Sequence, residues 1–339
     1  FLMSKRTHQS KSNAIPEIFF ERLTDIVGRS VMGGVQKTFV ERPTTFRINT
    51  IKSLNHEIIK SVLIDIGFKL RQVPWYKDAF ILLNKSKREL METEMYKDGK
   101  IYIQSLASMV PPLALDPKSG ERVLDLTAAP GSKTSQIAAL MQKQGELVAN
   151  DNNKPRFFKL KHNLEVLGVT ESLPFTPPLQ GGEKYMWKFT LRLEPGEKSC
   201  GEYKEYFDKI LLDAPCSAEA RFIDGEPKTY GYWSERKIKE MAYKQRKLFL
   251  SAWQALKPGG TLVYSTCTFA PEENELQISR LLERYDDAQT RPMALAELKT
   301  ISPVMKWKNK EMQAGVKHAV RILPTSEIEG FFVAKIGKK

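Results

Sequence analysis

From residue 122 onward the chain alternates short apolar runs with amphipathic stretches, and this alternation constrains its fold more than any other property. Arg122-Val-Leu-Asp-Leu-Thr reads as a strand, and Lys133 to Met141 as a helix. Gly145 to Asp151 is the next strand, followed by an amphipathic helix from Lys154 to Leu167 that Gly168 ends. Phe207-Asp-Lys-Ile-Leu-Leu-Asp is a further strand, and Ser234 is placed to cap a long helix reaching Leu256. Pro258-Gly259-Gly260 reads as the turn into the strand that ends at Cys267. His318 to Pro324 and Gly330 to Ile336 read as a hairpin at one sheet edge. Strands that alternate with helices predict an α/β fold, with a mostly parallel sheet covered on both faces.

The stretch before this has another character. Residues 1–15 are polar and read as a loose tail, and residues 16–100 read as a small α+β domain. Helical spacing runs from Glu17 to about Val31 and from Ile58 to Ile66, and strands are expected from Thr45 to Ile51 and from Asp78 to Leu83. Residues 101–339 then form the sheet domain. Within it, residues 169–203 are interrupted by Pro174, Pro177, Pro178, Gly181 and Gly182, and Trp187 to Leu193 is the best strand candidate there.

The formal charge of +13 is unevenly placed. Residues 1–100 hold 18 Lys and Arg against 11 Asp and Glu, and residues 299–339 hold nine against three, whereas 101–298 hold 26 of each. A neutral centre with basic flanks suits a catalytic core docked onto a polyanion; the plainer reading is a solubilising surface. Three cysteines without regular spacing argue against a disulfide scaffold and for a reducing compartment. No stretch is apolar enough to span a membrane, and no secretory signal pattern opens the sequence. A cytoplasmic monomer is expected, with a nuclear or nucleolar site open if the source is eukaryotic. The four histidines show no metal-ligand spacing.

Chemistry concentrates at strand ends, where open α/β sheets bind ligands. Asp125-Leu-Thr-Ala-Ala-Pro-Gly131-Ser-Lys133 follows the first strand of the sheet domain and opens a helix. Its small residues let a ligand approach the backbone, and the helix N-terminus offers free N–H groups. The spacing is not that of a phosphate loop. Asp151 closes the second strand, where an acidic side chain holds a ribose hydroxyl pair; the structural alternative is a helix cap. Together these features fit S-adenosylmethionine. Cys216 and Cys267 each end a buried strand, whereas Cys200 lies in no motif and reads as a buried hydrophobe.

With both cysteine motifs included, the chain resembles the Nop/Sun family of RNA cytosine-5 methyltransferases from about residue 17 to 336. The resemblance rests on Arg47-Ile-Asn-Thr, Tyr102-Ile-Gln-Ser-Leu-Ala-Ser-Met, Ala128 to Thr134, Asp213-Ala-Pro-Cys-Ser217, Ser265-Thr-Cys-Thr268 and Gly330-Phe-Phe-Val-Ala, in that order. It implies a Rossmann-like methyltransferase sheet with an antiparallel edge hairpin, an N-terminal region that binds RNA, and transfer of a methyl group from S-adenosylmethionine to cytosine C5 in ribosomal or transfer RNA. It implies that Cys267 is the nucleophile and that Cys216 assists breakdown of the covalent adduct. Lys133 and Asp213 would line the cofactor and target-base pocket. Thr127, Ala128, Ala129, Pro130, Gly131, Ser132, Lys133, Asp151 and Arg156 would contact the cofactor. The chain departs from the family pattern at Ser132 and Ala218, where glycine is common, and in having no Asp between Asn152 and Tyr206 to reach the adenine. Glu194 is the nearest substitute.

Cytosine C5 is a poor nucleophile until a thiolate adds to C6, so the reaction calls for a reactive cysteine and a route for its release. Lys133 is a candidate electrostatic source for lowering both thiol pKa values. Asp213 can hydrogen-bond the N3–N4 edge of the base, which must be unstacked to enter. Arg221, Lys228, Tyr230, Tyr232 and Trp233 could stack on a splayed base or simply pack as a loop, and His318, beside Arg321 in a basic stretch, could touch RNA. Two other readings stay open: a methyltransferase for DNA cytosine or a protein side chain, and a non-catalytic RNA-binding assembly factor on a methyltransferase scaffold.

Overall fold

The computed structural model describes residues 14–53, 55–171, 186–293, 295 and 297–339. The tail expected before residue 14 and the run from Pro174 to Gly182 lie outside the described residues. Where the sequence predicts one opening helix, the structure has two, α1 (Glu17–Val27) and α2 (Arg29–Gln36). Gly28 divides them at φ +87°, a conformation that a side chain would strain.

A small sheet follows, with β1 (Thr45–Ile48), β2 (Leu70–Val73), β3 (Tyr76–Leu82) and β4 (Ile101–Ile103) in the order β2-β3-β1-β4. Its helices are α3 (His56–Asp65), α4 (Lys87–Glu92) and α5 (Glu94–Lys97). Next comes α6 (Leu106–Leu115), which sequence reasoning missed because Pro111 and Pro112 lie inside it. Its burial compensates for the lost hydrogen bonds: Leu106, Ala107, Met109, Val110 and Leu115 are all in the core.

The large sheet is built from β5 (Arg122–Asp125), α7 (Ser132–Leu140), β6 (Gly145–Asn150), α8 (Lys154–Val166), β7 (Trp187–Arg192), α9 (Gly196–Gly201), β8 (Phe207–Asp213), α10 (Glu235–Ala255), β9 (Leu256–Thr266) and α11 (Glu275–Arg284). It is completed by β10 (Ala288–Arg291), β11 (Thr300–Ile301), β14 (Val320–Ile322) and β15 (Phe331–Lys338); β12 (Lys306–Trp307) and β13 (Lys310–Glu311) pair separately. The order is β11-β14-β15-β9-β8-β5-β6-β7, with β10 beside β15. Strands β5 to β9 are parallel, and β15 runs antiparallel between β9 and β14. Ser234 caps α10 as expected, its side chain accepting from the Lys237 N–H. Pro258-Gly259-Gly260 does not precede β9 but lies inside it, beside the register shift against β8.

Two cores flank the large sheet. Ile210 and Leu212 of β8 and Tyr264 of β9 point into one, while Leu211 and Val263 point into the other, as strand periodicity requires. The first core holds α10 and α11, and also Phe19, Leu23 and Ile26 of α1 with Met32 and Val35 of α2. The opening helices thus belong to the large sheet's core, unlike the sequence division at residue 100. The second core holds α6, α7 and one face of the small sheet through Val73, Ala79 and Ile81; the other face closes on α3 through Phe46, Leu63 and Phe80. The motif at Arg47 ties the two sheets together. Its fully buried guanidinium donates to Gln104 Oε1 at 2.9 Å and to Ser135 Oγ at 2.6 Å. Asn49 does the same across Gly99 O and Leu167 O.

Arg321, the neighbour of half-buried His318 in the basic stretch, is committed inside the fold. Arg321 is buried and forms a two-point ion pair with Glu275, both contacts at 2.6 Å, and His318 Nδ1 lies 3.2 Å from Thr290 Oγ1.

Candidate active site

Chain order reverses between β5 and β8, and a cavity of 530 Å³ opens there at the carboxyl ends of the strands. One half is made by the loop after β5. Gly131 turns this loop into α7 at φ +106°, and a Cβ there would come within 3.1 Å of Leu160. Thr127 Oγ1 donates to the Asp213 carbonyl at 2.8 Å, fixing the loop against β8. Asp151 is buried and accepts from the Ala129 N–H at 3.2 Å and the Asn153 N–H at 3.0 Å. Arg156 Nη2 lies 3.4 Å from Asp151 and donates to the Ala129 carbonyl at 2.7 Å. Asn153, not Asp151, caps α8, which leaves Asp151 to the cavity.

Two buried oxygens on this side have no partner among the described residues, Asp125 Oδ1 and Asn150 Oδ1. Asp125 accepts from Thr134 Oγ1 at 2.7 Å through its other oxygen, and burial pushes its carboxyl up to about 7. Unpaired buried acceptors are costly, and both of these residues line the cavity.

The other half carries the thiols. Lys133 reaches from α7 to Asp213 Oδ2 at 2.7 Å and to Ser108 Oγ of α6 at 2.7 Å. Ser265 Oγ holds the second Asp213 oxygen at 2.8 Å. Cys216 and Cys267 meet with their sulfurs 3.4 Å apart. The Cys267 thiol is drawn down, first by the hydrogen bond from Cys216 and then by the Arg221 guanidinium, against the opposing effect of burial. Cys216 is pushed well up by that same hydrogen bond and by burial. Of the two thiols, Cys267 is therefore the one that gives up its proton first, and Cys216 the one that keeps it. This corrects the expectation that Lys133 lowers both thiols: Lys133 is committed to Asp213, and the cation that acts on Cys267 is Arg221.

The loop after Cys216 is braced from beneath. Ser217 N–H and Gln245 Nε2 donate to Glu273, at 3.0 and 2.8 Å. Burial pushes the Glu273 carboxyl up to about 8. Glu219 accepts from Trp233 Nε1 and Thr268 Oγ1, both at 2.8 Å. Gly330 lets β15 start against this loop, because a Cβ there would meet Phe269 at 2.4 Å. Tyr230 and Trp233 pack as a loop on the core, Lys228 pairs with Glu226, and of that group Arg221 and the exposed Tyr232 remain open. Cys200 is buried, and its thiol is pushed up to about 12.

Ala218, where the resemblance expects glycine, stands at φ +56°, ψ +32°. Left-handed backbone costs an alanine about 1–2 kcal/mol, and the freer unfolded chain of glycine returns about 0.4–1 kcal/mol of this. Ala218→Gly is expected to stabilise the protein by up to about 1 kcal/mol, seen as a higher denaturant midpoint at unchanged slope. An unchanged or lower midpoint would mean that the contacts of the methyl group outweigh the strain.

Of the residues singled out in the sequence, Thr127, Ala128, Ala129, Pro130, Ser132, Lys133, Asp151, Arg156, Asp213, Cys216 and Cys267 line one cavity, with Gly131 shaping its rim. Glu194 does not line it. Its carboxylate is held by Arg192 and by Lys198 at 3.5 Å, so it has no free face for a ligand. Gly196 and Leu248 stand on that side instead. Sequence reasoning missed Ser108, Asn150 and the thiol-directed role of Arg221. The run from Tyr102 to Ser108 was legible as a motif, but its position against α7 was not.

A parallel sheet with this switch point, an acidic second strand end and two apposed thiols defines a Rossmann-like methyltransferase of the two-cysteine class. The chain belongs to the 16S rRNA methyltransferase RsmB/F family, whose model matches residues 112–337. It is 36% identical over 298 residues to a tRNA (cytosine(49)-C(5))-methyltransferase of Pyrococcus abyssi, covering 88% of each chain. It is 35% identical over 331 residues to the ribosomal RNA small subunit methyltransferase F of Vibrio parahaemolyticus, covering 96% of this chain and 63% of that one. The chain thus spans less than two thirds of the length of the Vibrio enzyme. A crystal structure of a methyltransferase homolog protein from Pyrococcus horikoshii superposes with a TM-score of 0.78 at 32% identity, covering 96% of both chains. Among the described residues, no helix is long and apolar enough to cross a membrane.

Proposed function

We propose that this protein transfers a methyl group from S-adenosylmethionine to C5 of a cytosine in RNA, through a covalent bond between Cys267 and cytosine C6. The observation that carries this reading is the pairing of a lowered Cys267 thiol with a Cys216 thiol 3.4 Å away, at the cavity that also holds Asp213 and Lys133. The cofactor supplies a methyl group on a sulfonium. The cavity suits it: the backbone after β5 and Arg156 face one end, and Asp151 offers a carboxylate to a ribose. The unpaired oxygens of Asp125 and Asn150 can accept from its amino donors.

Cys267 adds to C6, which makes C5 nucleophilic, and Asp213, fixed by Lys133 and Ser265, accepts from the N4 amino group of the base. Once C5 carries the methyl group, its proton passes to solvent at the open cavity, the C5–H electron pair re-forms the C5=C6 double bond, and Cys267 leaves as a thiolate to which the Cys216 thiol can donate its hydrogen bond. The basic N-terminal region, with its small sheet docked on α6 and α7, would hold the RNA, and the enzyme would act as a cytoplasmic monomer. Incubating the protein with labelled S-adenosylmethionine and unmodified transfer and small-subunit ribosomal RNA, then mapping 5-methylcytosine by bisulfite sequencing, is expected to show one or a few methylated cytosines. Label in DNA or protein but in neither RNA would sink the proposal.

A further inference from the structure

A groove of 190 Å³ lies between α10 and α11 on the sheet face opposite α6 and α7, apart from the catalytic cavity. Helical spacing builds it. Arg246, Phe249 and Leu250 share one side of α10, and Gln277, Arg280, Leu281 and Arg284 share one side of α11. The floor is apolar and the rim carries three guanidinium groups. None of the three forms an ion pair among the described residues, whereas Lys237 and Lys244 of α10 both pair with Glu240. The nearest acid acting on Arg280 is Glu283, whose carboxylate accepts from Ser279 Oγ at 3.2 Å. Burial and the charge of Arg246 both push the Arg280 guanidinium down. Arg246 Nε and Gln277 Oε1 are buried without a hydrogen-bond partner.

Like charges held together over an apolar floor, without an internal counter-ion, are stabilised when an anion arrives. Guanidinium groups favour phosphate oxygens in particular, because their planar fork of donors matches the phosphate geometry. We infer that this groove is a second RNA-contact surface, which takes a phosphodiester segment of the substrate away from the target cytosine. The inference rests on the reading of the protein as an RNA methyltransferase.

The test uses the whole protein with Arg246→Gln and Arg280→Gln together, and separately Arg284→Gln, which changes only an exposed position and keeps the test valid if the double variant misfolds. Binding of a transfer-RNA transcript is followed by anisotropy across salt concentrations, and S-adenosylmethionine binding by calorimetry. The salt slope is expected to fall by about 0.7–0.9 for each arginine removed. The KM for RNA should rise about tenfold in the double variant, with kcat and cofactor affinity unchanged. An unchanged salt slope and KM in both variants overturns the inference. So does loss of binding to an acidic polypeptide such as polyglutamate with RNA binding intact. If the wild-type protein binds RNA through the groove but methylates none, the groove stands and the proposed activity falls.

Discussion

Cys267→Ala is expected to abolish methyl transfer to RNA, a loss on the order of 10⁴-fold or more, while S-adenosylmethionine still binds with wild-type affinity. The size follows from covalent catalysis: without the sulfur–C6 bond, C5 has no route to becoming nucleophilic. The cofactor half of the cavity is held by Thr127, Asp151, Asn153 and Arg156 and does not depend on Cys267, so calorimetry should be unaffected. The wild-type pH profile carries a second expectation. The reactive form is the thiolate, and the Cys267 pKa lies below the ordinary thiol value of 9.0, so activity should persist below that value and fall as pH drops through the lowered pKa. Arg221→Met should move this fall toward higher pH, because the cation that favours the thiolate is gone. A Cys267→Ala variant within tenfold of wild type would remove Cys267 as the nucleophile.

Cys216→Ala is expected to stall the reaction after bond formation and leave protein covalently joined to RNA. Its thiol is the group next to the Cys267 sulfur, so its loss takes away the hydrogen bond that stabilises the departing thiolate. The same hydrogen bond is the largest influence lowering Cys267, so its removal also slows attack at neutral pH. The two effects separate by pH. Raising the pH restores thiolate and should increase the yield of adduct, seen as a slower band on a denaturing gel that nuclease collapses. Normal turnover without adduct at any pH would assign release to another group. DNA-type chemistry makes the opposite demand, since the cysteine after the proline would then be the one required for attack.

The large sheet was legible because its strands and helices alternate, and because each helix from Lys154 and Glu235 begins at a side-chain cap. Most of the cavity was legible for a related reason: its residues follow strand ends, and one sheet register brings strand ends together. The failures share a physical origin. The helix with Pro111 and Pro112 is stabilised by burial, which local propensity does not contain. Glu194 is the right residue type near the right strand, but Arg192, two positions earlier, claims its carboxylate. Arg221 read as part of a base-stacking or packed loop because the thiol it acts on is 46 positions away in the chain. Lys133 lines the cavity, but its ion pair with Asp213, 80 positions away in the chain, decides which charge it serves.

The packing of α1 and α2 into the large sheet's core changes what counts as a module in this chain. The small sheet does not precede the methyltransferase; it is spliced into it, with chain entering near Phe39 and leaving near Gln104, both anchored to the larger body. A fragment starting after residue 104 would lose Phe19, and with it the partner of Phe222 and Trp233, so the catalytic half could not be dissected out intact. A body held at two points, with Arg47 clamped between them, has little freedom to swing, so the small sheet keeps one fixed orientation toward the thiols.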